Sequence, residues 1–220
     1  MTASRPPSVY REGAVLIAPI AVAVFAFGAT FGVLARSAGI GSIPAIAMSA
    51  TTFAGSAQFA AASILGAAGG TATAIAAGLL LNARYVPIGI SVAPGFEGGF
   101  VRRLFAAQLV VDESWAVASR RGFDVRIIVG AGAVLYAAWN LGTAVGVLGG
   151  GALGDPKRLG LDAAFPALFL ALLVPQLRTR RAWTAAVVAA AIAFVLIPVT
   201  RPGIPIVAAS AACLIGWRRR

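Results

Sequence analysis

Long apolar runs recur along the whole chain, and short clusters of charged residues, glycine or proline separate them. A helix needs about 20 predominantly apolar residues to cross a hydrocarbon core about 30 Å thick. Most of the runs reach that length or come close to it, so the pattern predicts a transmembrane helix for each run. The predicted spans cover residues 13–36, 43–66, 71–94, 126–151, 161–177, 182–200 and 203–217.

The segment 104–118 is harder to assign, because it is short for a span and carries Asp112 and Glu113 side by side. A carboxylate at the centre of a bilayer costs at least ~2.5–3.5 kcal/mol on insertion scales. We therefore predict a short helix that does not cross. The alternative is an eighth span whose acidic side chains face a cavity within the protein.

These assignments predict an all-α fold, a polytopic bundle of about seven transmembrane helices that forms one membrane domain over residues 1–220. A weak internal similarity relates GATFGVL from Gly28 to GTAVGVL from Gly142. Three spans in each half make the halves inverted, an arrangement common in transporters; chance recurrence in a chain with 26 glycines is the alternative. The predicted halves are 14–94 and 126–200, with a linker at 95–125 and a final span at 203–217.

The composition fits a chain embedded in a bilayer: 60% of the residues are hydrophobic and 11% are charged, against about 25% charged in ordinary soluble domains. The formal net charge of +11 would by itself suit nucleic acid. The arginines lie between the apolar runs, however, as anchors of membrane topology do. We therefore expect lipid headgroups and no nucleic acid as partners, and a cytoplasmic C-terminus with Arg218, Arg219 and Arg220.

The residues that many enzymes use are scarce. The chain has no histidine and a single cysteine, Cys213, which excludes a Cys/His metal site, an intrachain disulfide and a histidine proton relay. We therefore expect no enzyme activity, no metal and no cofactor. A transporter of a small solute and a structural or accessory subunit of a membrane complex are the functions that remain.

The second predicted span carries polar residues at membrane depth, where lipid offers them no partner. Ser49 and Ser56 belong to a stripe of small hydroxylated residues, and Gln58 lies just beyond Ser56. Helix packing explains the hydroxyl groups, but a buried amide needs several hydrogen bonds. Gly55 would let the helix open here, and an opened helix presents free N–H groups to a carboxylate.

The third predicted span has Asn82 and Arg84 at its middle, and Pro87 frees the carbonyl one turn earlier. Arg84 keeps its charge and is too deep to reach the interface easily. An ionisable residue at this depth indicates a functional site. A structural pairing with Asp112 or Glu113 is the alternative.

The fourth predicted span carries a further polar pair, Trp139 and Asn140, at its middle. The three clusters share one estimated depth, so we expect them to converge on a substrate site near the midplane. The candidate substrate-binding residues are Gly55, Ser56, Gln58, Asn82, Arg84, Trp139 and Asn140, and the candidates for an ion pair or for coupling are Asp112 and Glu113.

Six motifs follow one another along the chain: FGATFGVLARSAG, FAGSAQFAA, LLLNARYVPIGIS, VDESWAV, WNLGTAVGVLGG and LGLDAAFPALFLALLVPQLR. Each is weak alone because small or apolar residues dominate it, but six in register are specific. On these motifs the chain resembles the AzlC-type branched-chain amino acid permeases, the large subunit of a two-component exporter. The similarity extends over nearly the whole chain.

The resemblance implies a cell-membrane exporter of branched-chain amino acids, chiefly valine, leucine and isoleucine, with methionine in some members. It also implies a small AzlD-type membrane subunit as partner. Arg84 and opened backbone would hold the substrate's carboxylate, and Asp112 or Glu113 would meet its ammonium group or carry a coupled proton. One position departs from the family: Tyr85 stands where a histidine is expected after Asn-x-Arg, which leaves the substrate's identity open.

Overall fold

The computed structural model describes residues 9–150, 170, 173–174 and 177–216. Over these residues the chain is helical and contains no strand, in agreement with the all-α prediction. Most of the predicted span at 161–177 and part of the second repeat half lie outside them. The helices are α1 (Val9–Ser37), α2 (Ser42–Thr52), α3 (Gly55–Gly66), α4 (Thr71–Asn82), α5 (Tyr85–Val92), α6 (Phe100–Ala107), α7 (Asp112–Ser119), α8 (Val125–Gly149), α9 (Arg180–Leu196) and α10 (Ile204–Ala209), with 3₁₀ helices at Ala93–Gly95 and Ser210–Gly216.

Helices α1 and α8 form the centre of the fold and are the two described helices long and apolar enough to cross a membrane unbroken. They run parallel, because Gly13 lies against Ile127 near their starts and Gly32 lies against Val147 near their ends. Parallel helices cross in the same sense, so the inverted relation expected between the two repeat starts is not observed. We call the side where both helices begin the near face and the side where both end the far face.

Glycines allow the close approach of these two helices. A Cβ atom at Gly142 would overlap the backbone of Phe25, and one at Gly146 would overlap the carbonyl oxygen of Ala29. Small residues at the contact are what lets membrane helices come this near to each other. The similar segments GATFGVL and GTAVGVL therefore pack against one another, and their likeness reflects a shared packing role.

Helices α2 and α3 form a hairpin, called hairpin A (residues 42–66), that enters from the far face and returns to it. α2 runs inward from the end of α1, and the hydroxyl of Ser49 lies 2.9 Å from that of Thr143 in α8. α3 runs outward again, so that a Cβ at Gly66 would lie 3.0 Å from the Cβ of Ala38. With 11 and 12 residues, the helices are about 17–18 Å long, too short to cross about 30 Å. The second predicted span is therefore wrong, because both of its ends lie on one side.

The break in hairpin A falls where the sequence predicted that a helix would open. Phe53 adopts a left-handed conformation with φ 41°, which ends α2, and α3 begins two residues later at Gly55. A left-handed backbone is costly for a residue with a side chain, so surrounding contacts must hold it. Phe53 is buried, and its ring lies edge-on against Tyr136 with the centroids 5.0 Å apart.

Helices α4 and α5 run from the far face to the near face as one bent span. The bend is 42° and lies between Asn82 and Tyr85, where Pro87 in the first turn of α5 has no backbone N–H to donate. At the near face, Gly95 contacts Val125 at the start of α8. The third predicted span is thus present, but it is broken at its midpoint.

Helices α6 and α7 form a second hairpin, called hairpin B (residues 100–119), that enters from the near face. At its tip, the amide of Gln108 donates to the carbonyl oxygen of Thr51 in hairpin A over 2.9 Å. α7 then returns, and Ala118 packs with Ile128 near the start of α8. The segment with the two acids turns back without crossing, as predicted, but it forms parts of two helices instead of one.

Helix α9 packs against α10 and the 3₁₀ helix that follows it, and α10 packs against α4. The turn between α9 and α10 lies at the far face, where Gly203 contacts Thr73. From there α10 runs toward the near face, and Val207 packs against α3 and α4. These helices overlap the predicted spans at 182–200 and 203–217, but none of them is among the described helices long and apolar enough to cross a membrane, so those two spans are not confirmed.

The two hairpins make a topology that cysteine labelling can test. Once Cys213, the single cysteine, is replaced by alanine, cysteines at Ser37 and Ala67 flank hairpin A, and a membrane-impermeant maleimide should label both from one side. Cysteines at Glu97 and Arg120 flank hairpin B and should react from the opposite side. All four positions are exposed. If the Ser37 and Ala67 variants react from opposite sides, residues 42–66 cross the membrane and hairpin A does not exist.

Candidate functional site

A cavity of about 120 Å³ lies midway along α8, where the two hairpin tips meet the bend between α4 and α5. Three helices begin at its wall: α3 at Gly55, α5 at Tyr85 and α7 at Asp112. The first N–H groups of a helix have no acceptor within the helix, and the helix dipole adds partial positive charge there. At α5 the N–H of Val86 already donates to Ala83 O and Pro87 has no N–H, so the backbone donors that the cavity offers to a bound anion come from the starts of α3 and α7.

Arg84 joins the three helix starts. Its Nη2 lies 3.0 Å from Oδ2 of Asp112 and donates to the hydroxyl of Ser56 over 3.0 Å. Its guanidinium lies 5.2 Å from the ring centroid of Tyr85, within the range of a cation–π interaction. The ion pair considered from the sequence is thus present, with Asp112 as the partner. Both side chains are 40% exposed, so a solute can reach the pair.

The polar wall of the cavity carries both signs of charge. Glu113 lines it next to Asp112, and both lie in the first turn of α7, where the helix dipole stabilises carboxylates. Arg84 lies between these acids and Ser56 at the start of α3. A solute with one carboxylate and one ammonium group can therefore find a counter-charge for each of them on this wall.

The rest of the lining is apolar. Its apolar wall, as we call it, includes Val24 and Phe27 from α1 and Leu135 and Trp139 from α8. The indole of Trp139 stacks on Phe31, with centroids 6.0 Å apart and an interplanar angle of 22°, a contact that contributes about 0.5–1.5 kcal/mol beyond buried area. The apolar wall is thus held in place and suits an aliphatic group.

A buried hydrogen-bond network behind the cavity holds the tip of hairpin A. The hydroxyl oxygen of Ser49 accepts from Gln58 Nε2 at 3.0 Å and from Trp139 Nε1 at 3.2 Å. It also lies 2.9 Å from Oγ1 of Thr143. Gln58 Oε1 in turn accepts from the backbone N–H of Ala54, the residue before α3, at 3.2 Å. The amide of Gln58 therefore stabilises the break between α2 and α3.

Six of the nine candidate residues line the cavity. Gln58 lies in the network behind it, and Asn140 donates to the carbonyl oxygen of Tyr136, one turn earlier in α8, over 2.9 Å. Asn82 ends α4, and its Oδ1 is buried without a hydrogen-bond partner in the part of the chain that the structure describes. The six that line the cavity are Gly55, Ser56, Arg84, Asp112, Glu113 and Trp139.

The cavity also depends on residues that the sequence did not single out. Val24, Phe27 and Leu135 are apolar residues of apolar helices, so hydropathy cannot separate them from residues that face lipid. Gln108 and Tyr136 gave a signal, because each is a polar side chain within an apolar stretch. Both donate to carbonyl oxygens at the end of α2.

The family model described as AzlC protein matches residues 19–153, which is more than half of the chain. The chain belongs to the AzlC family. The match confirms the resemblance drawn from the six motifs. The matched AzlC region runs from within α1 to just beyond α8, so it contains both hairpins and every residue that lines the cavity.

Three relatives extend the AzlC assignment. An uncharacterized membrane protein of Archaeoglobus fulgidus is 33% identical over 213 residues, 96% of this chain and 95% of that protein. The branched-chain amino acid transport protein AzlC of Bacillus subtilis is 28% identical over 167 residues, 72% of this chain and 65% of that protein. An uncharacterized membrane protein of Helicobacter pylori is 27% identical over 171 residues, 74% of this chain and 75% of that protein. No solved structure matches the chain.

AzlC membership supports the broad predictions from the sequence. The relatives are membrane proteins, and the AzlC family is a transport family and not an enzyme family. The chain is thus a membrane protein of a transport family, and its cavity lies in the region that the family shares.

Proposed function

We propose that this protein transports branched-chain amino acids across the cell membrane. The observation that carries the proposal is the Arg84–Asp112 pair, 3.0 Å apart, in a cavity where three helices begin beside an apolar wall. Discontinuous helices that meet near the middle of a membrane protein are a recurring way to build a transporter site. The name of the Bacillus subtilis relative supports the substrate class.

In the proposed binding mode, the substrate's carboxylate accepts hydrogen bonds from Arg84 and from the backbone N–H groups of Gly55 and Ser56. Its ammonium group pairs with Asp112 or Glu113, and the acid left over can carry a coupled proton. Each charge-assisted hydrogen bond contributes roughly 1.5–3 kcal/mol. The substrate's two charges would thus replace the contact between Arg84 and Asp112 without leaving a buried charge unpaired.

The substrate's side chain would lie against the apolar wall formed by Val24, Phe27, Leu135 and Trp139. A volume of about 120 Å³ lies below the roughly 300–1,000 Å³ of pockets that take drug-sized ligands, which suits a single small amino acid. In this proposal Gln58, Asn82 and Asn140 support the site from behind.

We further propose that the near face is cytoplasmic and that transport is export, assisted by a small AzlD-type subunit. Cytoplasmic loops carry an excess of Lys and Arg. This proposal puts the C-terminus on the same side, and the direction of residues 204–216, from Gly203 at the far face toward the near face, supports it. Among the described residues, the far face carries Arg36 and Arg201, whereas the near face carries Arg11, Arg102, Arg103, Arg120, Arg121, Arg126, Arg178, Arg180 and Arg181.

Reconstitution tests the proposal directly. Proteoliposomes that contain this chain together with its small subunit should exchange labelled leucine, valine and isoleucine, and proteoliposomes that contain the chain alone should show little exchange. The two preparations are compared at equal protein density, with lysine as a non-substrate control. Failure of the complex to move any of the three would exclude the substrate class, and robust exchange by the chain alone would exclude the need for a partner.

A further inference from the structure

The two hairpins of the protein meet at their tips and do not pack along their helices. In the described part of the chain, the helices of hairpin A pack against α1, α4 and α8, and α7 of hairpin B packs against α1 and α8. A direct contact between the hairpins is made by Gln108 at the tip of hairpin B. Beside this polar contact, Val111 of hairpin B belongs to the same buried apolar cluster as Phe53 of hairpin A, so the contact area between the hairpins is confined to their tips.

Gln108 donates to the last turn of α2. Its Nε2 lies 2.9 Å from the carbonyl oxygen of Thr51 and 3.4 Å from that of Ala50. The last carbonyl groups of a helix have no donor within the helix, so they are free to accept from a neighbour. Tyr136 of α8 also donates to Ala50 O, over 2.8 Å. The end of α2 is thus held by one donor from hairpin B and one from the central helix α8.

We propose that Gln108 is a positioning residue that clasps the two hairpin tips together and keeps the cavity narrow. Gln108 lies four residues before Asp112 in hairpin B, and Thr51 lies five residues before Ser56 in hairpin A. Parting the tips would move Asp112 and Ser56 away from Arg84, which contacts both. Release of this clasp therefore widens the cavity and loosens its polar wall in one movement.

The clasp rests on the proposed function for its role in transport, because a transporter must expose its site to each side in turn. Hairpin A enters from the far face and hairpin B from the near face, so the two tips together separate the two sides. The physical claim, that Gln108 holds the two tips together, concerns the protein without substrate. It can therefore be tested independently of any transport assay.

The first test measures how accessible the cavity is. In a Cys213→Ala background, a cysteine at Val24 in the apolar wall reports on entry of a membrane-impermeant maleimide. Gln108→Glu keeps the shape of the side chain and replaces its donor with a carboxylate, and Gln108→Met removes the donor without adding charge. Both should raise the labelling rate about fivefold, the factor expected for losing a hydrogen bond of average net strength. Each variant is first checked for a single gel-filtration peak.

Tyr136→Phe is the matched control, because it removes a donor to Ala50 O from α8 and leaves the contact between the hairpins intact. Its labelling rate should stay within about twofold of the parent's. Unchanged labelling in both Gln108 variants would overturn the proposal. So would an equal acceleration in Tyr136→Phe, because the effect would then come from the exposed end of α2 and not from the clasp.

A transport assay gives the second test. In the complex with the small subunit, Gln108→Met should change the maximal rate of leucine exchange at an unchanged half-saturating leucine concentration. A change confined to the half-saturating concentration would make Gln108 part of the binding site and would overturn the clasp. If the parent complex moves no branched-chain amino acid, the proposed function fails, while the labelling comparison still decides whether the clasp exists.

Discussion

Arg84→Lys should weaken leucine binding by about tenfold or more, whereas Arg180→Lys should leave it unchanged. Arg84 reaches Asp112 and Ser56 with the same Nη2, and its planar fork can hold a carboxylate at two points, while lysine offers a single point charge. Losing one charge-assisted hydrogen bond costs roughly 1.5–3 kcal/mol, and 1.4 kcal/mol is tenfold in affinity. The measurement is leucine binding to the purified complex. Arg180 lies at the start of α9, away from the cavity.

The same variants separate a binding role of Arg84 from a structural one. If the Arg84–Asp112 pair only stabilises the fold, Arg84→Lys should lower the thermal unfolding midpoint and leave affinity intact. Gln58→Ala should show that structural pattern, because Gln58 is fully buried and bonded within hairpin A. Unchanged affinity and transport in Arg84→Lys would move the site elsewhere.

Gly146→Ala should strongly destabilise the protein, because the new methyl group would overlap the carbonyl oxygen of Ala29. The obstacle is backbone, so no side chain can rotate to relieve it, and α1 must move away from α8. Overpacking a tight contact typically lowers stability by about 1–3 kcal/mol, occasionally more. Because both hairpins pack against these two helices, a shift of α1 would disturb them as well. The expected result is a lower thermal midpoint and a lower yield of monodisperse protein in detergent.

Gly149→Ala is the matched control for that substitution. It lies in the same helix three residues further on, and an added Cβ there would have nothing within 4 Å in the described structure. Alanine is favoured over glycine inside helices by about 1 kcal/mol, so Gly149→Ala should be neutral or slightly stabilising. Equal losses in the two variants would mean that the close contact between α1 and α8 does not limit stability.

The polar part of the site could be predicted from the sequence because few arrangements stabilise a charged residue at membrane depth. A pairing of Arg84 with Asp112 or Glu113 is the alternative that the sequence offers to a substrate role, since each charge is costly to leave facing lipid, and Arg84 and Asp112 lie 3.0 Å apart. The opening of the helix before Gly55 could also be predicted, because glycine and small residues cluster there. These inferences depend on local chemistry and on the cost of burying charge.

Hairpin A could not be predicted in the same way. Its run of apolar residues at 43–66 is as long as a real span, and hydropathy does not distinguish a hairpin buried against α1 and α8 from a helix surrounded by lipid. The chain reverses because Phe53 takes a left-handed conformation and because Ser49 and Gln58 bond across the break. Both features depend on contacts with the neighbouring helices, so the sequence of hairpin A alone does not reveal them.

The relation between α1 and α8 was misread for a related reason. The repeated motif is visible in the sequence, but the direction in which its second copy crosses the membrane depends on how many of the segments between the two copies cross. Because hairpin A does not cross, the count of crossings changes. A repeat in sequence thus indicated a shared packing surface at Gly28 and Gly142, and not the symmetry expected of it.

The parallel pairing of α1 with α8 has a consequence for how the protein is made. Residues 38–124 separate the two helices along the chain. At about 5–20 residues per second, synthesis of this segment takes roughly 4–17 seconds, during which α1 has no α8 to pack against. During that interval Ser49 lacks Thr143, and Arg84 lacks Asp112 until hairpin B emerges. Newly inserted α1 and hairpin A therefore lack the polar contacts that hairpin B and α8 later supply, although Gln58 can already donate to Ser49 within hairpin A. The cavity therefore forms late in biogenesis, when α8 is inserted and packs against α1.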